Sequence, residues 1–272
     1  MDGDRYLRRI GLDPGSVGPR DRETLARLQH AHVLTVPFEN LAIAGDPWDR
    51  RSGEGVSLDR AALLEKVVER ERGGFCYEPN GAFVELLAAL GFDATRNAGR
   101  IVADVGMGGP KTRRPVPVDG TAVEDGVGTA WRVVRNERPD VDFTVQYRTP
   151  EGDPWADRYV FTLAPRELNY FTATCDYLTA APESYCRTHV RERAIRCAGL
   201  TRHKNPETVI ERRHCLCPTV SVFTRSTTVT IGTDAGDVEL SGRELHRVEG
   251  GEESVRELDR DETLSRTFGI EW

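Results

Sequence analysis

The sequence predicts an α+β protein, and three observations carry that prediction. Residues 1–92 place apolar side chains at helical spacing behind polar cap residues. Residues 93–182 hold short runs rich in Val, Phe, Tyr and Thr, parted by Gly, Pro and Asp. The C-terminal end mixes a hairpin pattern with a closing helix. Helices segregated ahead of strands exclude the regular alternation that builds a parallel α/β sheet. At 272 residues and 38% hydrophobic content, the chain can bury one substantial core or divide into two or three subdomains.

The elements follow in chain order. "DRETLARLQHAHVLTV" puts Leu25, Leu28 and His32 on one helical face. "SLDRAALLEKVVER" starts a second helix with Ser57 as its cap. Pro79 opens a third, followed by Phe83, Leu86, Leu87 and Leu90 at helical spacing. In region 93–182, "IVADVGM", "TAWRVVRN", "DFTVQYRT" and "RYVFTLA" read as antiparallel strands. Region 183–218 is basic and irregular. In region 219–272, "TTVTIGTDAGDVELSG" reads as a hairpin around Asp234-Ala235-Gly236, and "RDETLSRTFGIEW" as a final helix and tail.

Composition narrows the function classes. A net charge of -7 gives no basic excess to neutralise phosphates, which argues against a nucleic-acid partner. "MDGDRYLRRIGL" carries charges where a signal peptide needs an apolar run, and "AFVELLAALGF" is far short of a membrane span. The expected compartment is therefore cytoplasmic, with no membrane partner, and the six irregularly spaced cysteines are expected as thiols. Only three of the 37 basic residues are lysine, which suits a high-GC genome or a salty cytoplasm and says nothing about chemistry.

The stretch "ERGGFCYEPNGAF" carries the chemistry. A helix N-terminus presents unsatisfied N–H groups and the positive end of the macrodipole, so a thiolate there is stabilised and the thiol pKa falls below about 8.5. Cys76 stands just ahead of Pro79, and Gly73 and Gly74 permit a sharp turn and a close substrate approach. The plain alternative is a small buried hydrophobe, which is what most cysteines are.

"RGGFCYEPN", with "VPFENLAI" upstream, "DVGMGG" downstream and "FGI" near the C-terminus, resembles the arylamine N-acetyltransferase family. The resemblance extends over "YLRRIGL", "LQHAHVLTVPFEN", "RYVFTLAPRELNYF" and "FGIEW". It implies an N-terminal helical bundle, an antiparallel β-barrel and a C-terminal α/β lid around a cysteine-proteinase-like core. It also implies acetyl transfer from acetyl-CoA, through an acetyl-cysteine, to an aromatic amine or hydrazine, with no metal. Carried over residue by residue, Cys76 is the nucleophile and Asp104 the carboxylate that orients a histidine. Gly106, Gly108 and Gly109 form the loop that approaches the CoA pyrophosphate. Phe38 and Met107 line the acceptor pocket, and Arg72 and Glu39 form a buried ion pair that fixes the cysteine loop.

Two departures stand out. The family's triad histidine has no match: Cys76 and Asp104 stand only 28 residues apart with no histidine between them, so a hairpin is missing and the barrel is expected to be shortened. His30 and His32 lie in the bundle near "VPFEN" and read as packing residues, and His246 sits in a polar stretch. The second departure is residues 186–217, which resemble an insertion. Cys186, His189, Cys197, His203, His214, Cys215 and Cys217 could supply four zinc ligands, but their spacings are irregular, and a basic surface loop is the expected reading. The rival function is a non-catalytic family member that keeps the fold and binds CoA or zinc.

Overall fold

The computed structural model describes residues 3–101, 112–150, 152, 154–181, 227–258 and 264–270. Asp104, Gly106, Met107, Gly108, Gly109 and the Cys/His-rich stretch 186–217 lie outside the described residues.

The N-terminal part is helical: α1 (Gly3–Arg9), α2 (Arg22–Thr35), α3 (Leu41–Ala44), α4 (Arg60–Leu64) running into a π turn (Glu65–Glu69), and α5 (Tyr77–Ala89). Asp21 caps α2, its carboxylate accepting the Thr24 N–H at 2.8 Å. The cap of α4 is Asp59 rather than Ser57. The Asp59 carboxylate accepts from Ala61 and Ala62, while Ser57 Oγ accepts only the Asp59 N–H, because the helix starts two residues later than the sequence pattern suggests. Tyr6, Leu7, Ile10, Leu28, Leu63, Val67, Ala82, Leu86 and Leu87 form one buried cluster across these helices. Each buried leucine contributes roughly 2 kcal/mol by removal from water.

Ten strands form two antiparallel sheets among the described residues, ordered β2-β6-β5-β4-β3 and β1-β7-β8-β9-β10. The first comprises β2 (Arg96–Ile101), β3 (Val123–Glu124), β4 (Ala130–Arg135), β5 (Phe143–Arg148) and β6 (Ala156–Arg166). Its register sets Val133 opposite Val145 and Val145 opposite Tyr159, so the three side chains share one face. Neither sheet closes on itself among the described residues, whose strands form two open sheets. Region 93–182 is also not all strand. It ends in a 3-10 turn (Leu168–Phe171) and α6 (Thr172–Ala180), which buries Cys175.

The C-terminal region holds more sheet than one hairpin: β7 (Thr228–Gly232), β8 (Gly236–Ser241), β9 (Glu244–Glu249) and β10 (Glu252–Glu257), then α7 (Leu264–Phe268). The β9–β10 turn is made by Gly250 and Gly251 at φ 60° and 85°, a conformation that glycine adopts without steric cost. Strand β1 (Phe38–Glu39), cut from the helical part of the sequence, pairs with β7. Asn40 strengthens that seam, since its Oδ1 accepts the Thr228 N–H at 2.6 Å and its own N–H reaches Thr228 O at 3.1 Å.

Arg113 fastens the two sheets together. Its buried guanidinium lies 3.4 Å from Asp125 and 3.0 Å from Asp237, and donates to the carbonyls of Thr233 and Gly236. Asp125 in turn accepts the N–H groups of Val127 and Thr129, which closes the β3–β4 turn.

Candidate active site

Cys76 occupies the N-cap position of α5, with helical backbone angles (φ -42°, ψ -33°) and no capping hydrogen bond from its side chain. The thiol is half-buried, and it lines a cavity of about 540 Å³ together with Phe38, Phe83, Tyr159 and Phe161. Val33, Val36, Val116, Val133 and Val145 complete an apolar wall, and Gln29, His32, Asn80 and Arg114 are among its polar groups. Pro79 is the third helical residue, inside a first turn whose N–H groups have no intrahelical acceptor, so its missing donor costs nothing.

The cysteine loop is held from both sides. Its backbone docks on the 37–39 segment: Glu39 N–H donates to Gly74 O at 2.9 Å, and Gly74 N–H donates to Pro37 O at 3.3 Å. A side chain at Gly73 would strike the Pro37 carbonyl oxygen, and a Cβ at Gly74 would stand 2.7 Å from Glu78. Both glycines are buried, so their smallness serves the packing of chain on chain rather than the approach of a substrate.

Beneath the loop lies a buried charge network. Arg72 and Glu39 pair at 2.6 Å, and Glu39 also accepts the Leu41 N–H at 2.7 Å. Lys66, from the π turn, reaches both Glu78 carboxylate oxygens at 3.0 Å and lies 3.7 Å from Glu39. Two carboxylates and two cations balance, as burial requires. Burial, which outweighs the Lys66 ammonium, raises the Glu78 carboxyl above the usual carboxylate range. Half-exposed Glu54 closes the rim against Arg72 and Arg70. Desolvation raises its carboxyl as well, but the Arg70 and Arg72 guanidinium groups prevail and it is lowered. Lys66 and Glu78 escaped the sequence reading. A lysine in a chain that otherwise uses arginine, and a glutamate two residues past the thiol, were the available signals.

Three of the six histidines fall among the described residues, and they do not converge. His30 sits on the surface, 3.0 Å from Asp234. His246 lies on β9, 3.8 Å from Glu244. His32 is buried and lines the same cavity as Cys76, with its Nδ1 3.2 Å from the Tyr6 hydroxyl and its ring 4.8 Å from that of Phe83. Burial, with the Arg9 charge adding to it, pushes the His32 imidazole down to about 3. Among the described residues no group of three or more His, Cys, Asp or Glu side chains is placed to hold a metal ion.

The thiol thus stands at the head of a helix, whose terminus favours its anionic form, and opens into an aromatic-lined cavity. A family model described as N-acetyltransferase matches residues 21–103 and 100–199. The two matched stretches overlap at residues 100–103. The chain is 32% identical over 215 residues to an arylamine N-acetyltransferase of Mycolicibacterium smegmatis, covering 68% of this chain and 73% of the relative. It is 29% identical over 218 residues to the proansamycin X synthase of Amycolatopsis mediterranei, covering 71% of this chain and 79% of that protein. The crystal structure of a variant of a Mycobacterium smegmatis arylamine N-acetyltransferase superposes with a TM-score of 0.71 at 25% identity, over 100% of this chain and 93% of that one. The chain belongs to the arylamine N-acetyltransferase family. Its relatives of that name are acyltransferases. No described helix is long and apolar enough to cross a membrane.

Proposed function

We propose that the protein transfers an acetyl group from acetyl-CoA to an aromatic amine or hydrazine through an acetyl-Cys76 intermediate. The carrying observation is the Cys76 thiol, at the head of α5 in the family's motif, facing a cavity lined by Phe38, Phe83, Tyr159 and Phe161. The thiol attacks the thioester carbonyl, CoA thiolate leaves, and the amine nitrogen then attacks the acetyl-thioester and frees the thiol. The resemblance assigns Gly106, Gly108 and Gly109 to CoA binding. The resemblance assigns Met107 and Phe38 to the acceptor pocket and Asp104 to the carboxylate of the family's triad. The β-sheet halves and the C-terminal segment act as the family's barrel and lid, in the cytoplasm.

His32 shares the cavity but resists protonation, so it is a poor store for the thiol proton. Acylation is therefore expected to be slow and to rise with pH until the thiolate forms unaided. The assay is pre-steady-state release of CoA thiol from acetyl-CoA between about pH 6 and 9.5, with Cys76→Ala as the blank. A plateau reached already at pH 7 overturns the slow-thiol account and points to a histidine outside the described residues. Release at the level of the blank at every pH supports the second reading, which the weak basicity of His32 favours. In that reading the protein is a non-catalytic family member that binds CoA or zinc, and equilibrium dialysis with CoA and elemental analysis for zinc separate those two.

A further inference from the structure

We infer that Glu78, clamped by Lys66, is the positioning residue for Cys76: its carboxylate holds the backbone N–H of Phe75, immediately ahead of the cysteine, and so fixes the thiol's backbone at the cavity. The inference rests on the reading of Cys76 as the nucleophile.

A helix start leaves N–H groups without acceptors, and the N-cap side chain ordinarily satisfies one of them. Cys76 holds that position with a helical backbone and makes no capping bond. The residue just ahead of it is held instead: Glu78 Oε2 accepts the Phe75 N–H at 2.9 Å, while the Glu78 N–H donates to Phe75 O at 2.7 Å. These two bonds form a closed ring spanning Phe75 to Glu78 with Cys76 inside it. The three-residue reach of Glu78 back to a backbone N–H is that of the returning half of a capping box, set here one residue ahead of the N-cap position.

A buried carboxylate this close to a nucleophilic thiol would by itself oppose the thiolate. Lys66 answers that charge at 3.0 Å on both oxygens. The compact ammonium has three donors, which suits two oxygens of Glu78 and the nearby Glu39 better than a planar guanidinium. This accounts for a buried lysine in a chain where 34 of 37 basic residues are arginine.

Two neutral replacements of the pair isolate the hydrogen bond. Lys66→Met with Glu78→Gln keeps an acceptor for the Phe75 N–H, and Lys66→Met with Glu78→Leu fills the space without one. Acylation at saturating acetyl-CoA should stay within about fivefold of wild type in the first and fall at least 30-fold in the second, with the half-saturating acetyl-CoA concentration little changed in both. Equal rates in the two variants at matched melting temperatures would overturn the inference. Alkylation of Cys76 by iodoacetamide, which needs no acetyl-CoA, should change at least fivefold in the Leu variant alone. If wild type releases no CoA, that contrast still decides the positioning role, and the silence counts against the proposed activity instead. If the Leu variant does not fold, Glu78→Gln alone decides. Rates within about fivefold support the bond, and a loss beyond 30-fold at an unchanged melting temperature shows that charge matters instead.

Discussion

The hydroxyl of Tyr6 and the Nδ1 of His32 meet at 3.2 Å in a buried contact that joins α1 to α2. Burial raises the Tyr6 phenol far above its usual range, so it keeps its proton, and the imidazole beside it stays neutral.

That contact predicts a specific acid sensitivity. His32 titrates at about 3 when folded and near 6.5 when unfolded. Between those values the unfolded chain takes up a proton that the folded chain refuses, so stability is full above pH 6.5 and is lost as pH falls toward 3. The whole loss is about 4 to 5 kcal/mol. Urea denaturation at pH 7, 5 and 4 measures it, and His32→Phe should be weaker at neutral pH yet lose less between pH 7 and 4. Parallel slopes for the two proteins would show that His32 is not the group responsible.

A second prediction concerns the buried network. Arg72→Met strands the Glu39 carboxylate, with Lys66 at 3.7 Å as its nearest remaining cation. A loss of about 3 to 5 kcal/mol is expected. Arg72→Met combined with Glu39→Leu removes both charges and leaves Lys66–Glu78 balanced, so the double variant should be the more stable of the two. Thermal melts of the three proteins at one pH settle the order.

How much of this was legible in the sequence follows from what each residue does. Period exposed α2 and α5, because a helix writes its buried face every three to four residues, as Leu28, His32, Leu86 and Leu87 show. Strands β4, β5 and β6 were legible through Val, Tyr and Phe bounded by turn residues, whereas β2 and β3 carried no such run. Strand β1 was not, since two residues carry no period, and its partner Thr230 lies far along the chain. The β9–β10 hairpin was hidden by its charge: every residue of β10 is exposed, so no apolar alternation marks it. At the site, the family motif pointed to Cys76, Phe38, Glu39 and Arg72. Lys66 was invisible because a buried cation is recognised only by the partners that fold around it.

The glycines before the cysteine give a third prediction, on packing. Neither Gly73 nor Gly74 has a positive φ, so each is required for space alone. Gly73→Ala presses on the Pro37 backbone, which cannot move without breaking the β1 seam. Gly74→Ala presses on Glu78, a side chain with some freedom. Gly73→Ala should therefore cost more, above about 3 kcal/mol, and Gly74→Ala less. Denaturant midpoints with unchanged slopes are the measurement, and the reverse order would refute the assignment.

The final prediction compares thiols. Cys76 is half-buried and opens on the cavity, while Cys175 is 1% exposed and packed against Phe75. An alkylating agent reacts with a thiolate it can reach, so Cys76 should be modified well ahead of Cys175 in the folded protein. The helix terminus favours its anionic form, so Cys76 is expected to lead Cys186, Cys197, Cys215 and Cys217 as well. Limiting iodoacetamide followed by peptide mass spectrometry gives the order directly. Prior incubation with acetyl-CoA should slow labelling at Cys76 and leave the other five unchanged. Labelling of Cys215 or Cys217 ahead of Cys76 would show that position at the head of α5 does not activate the thiol.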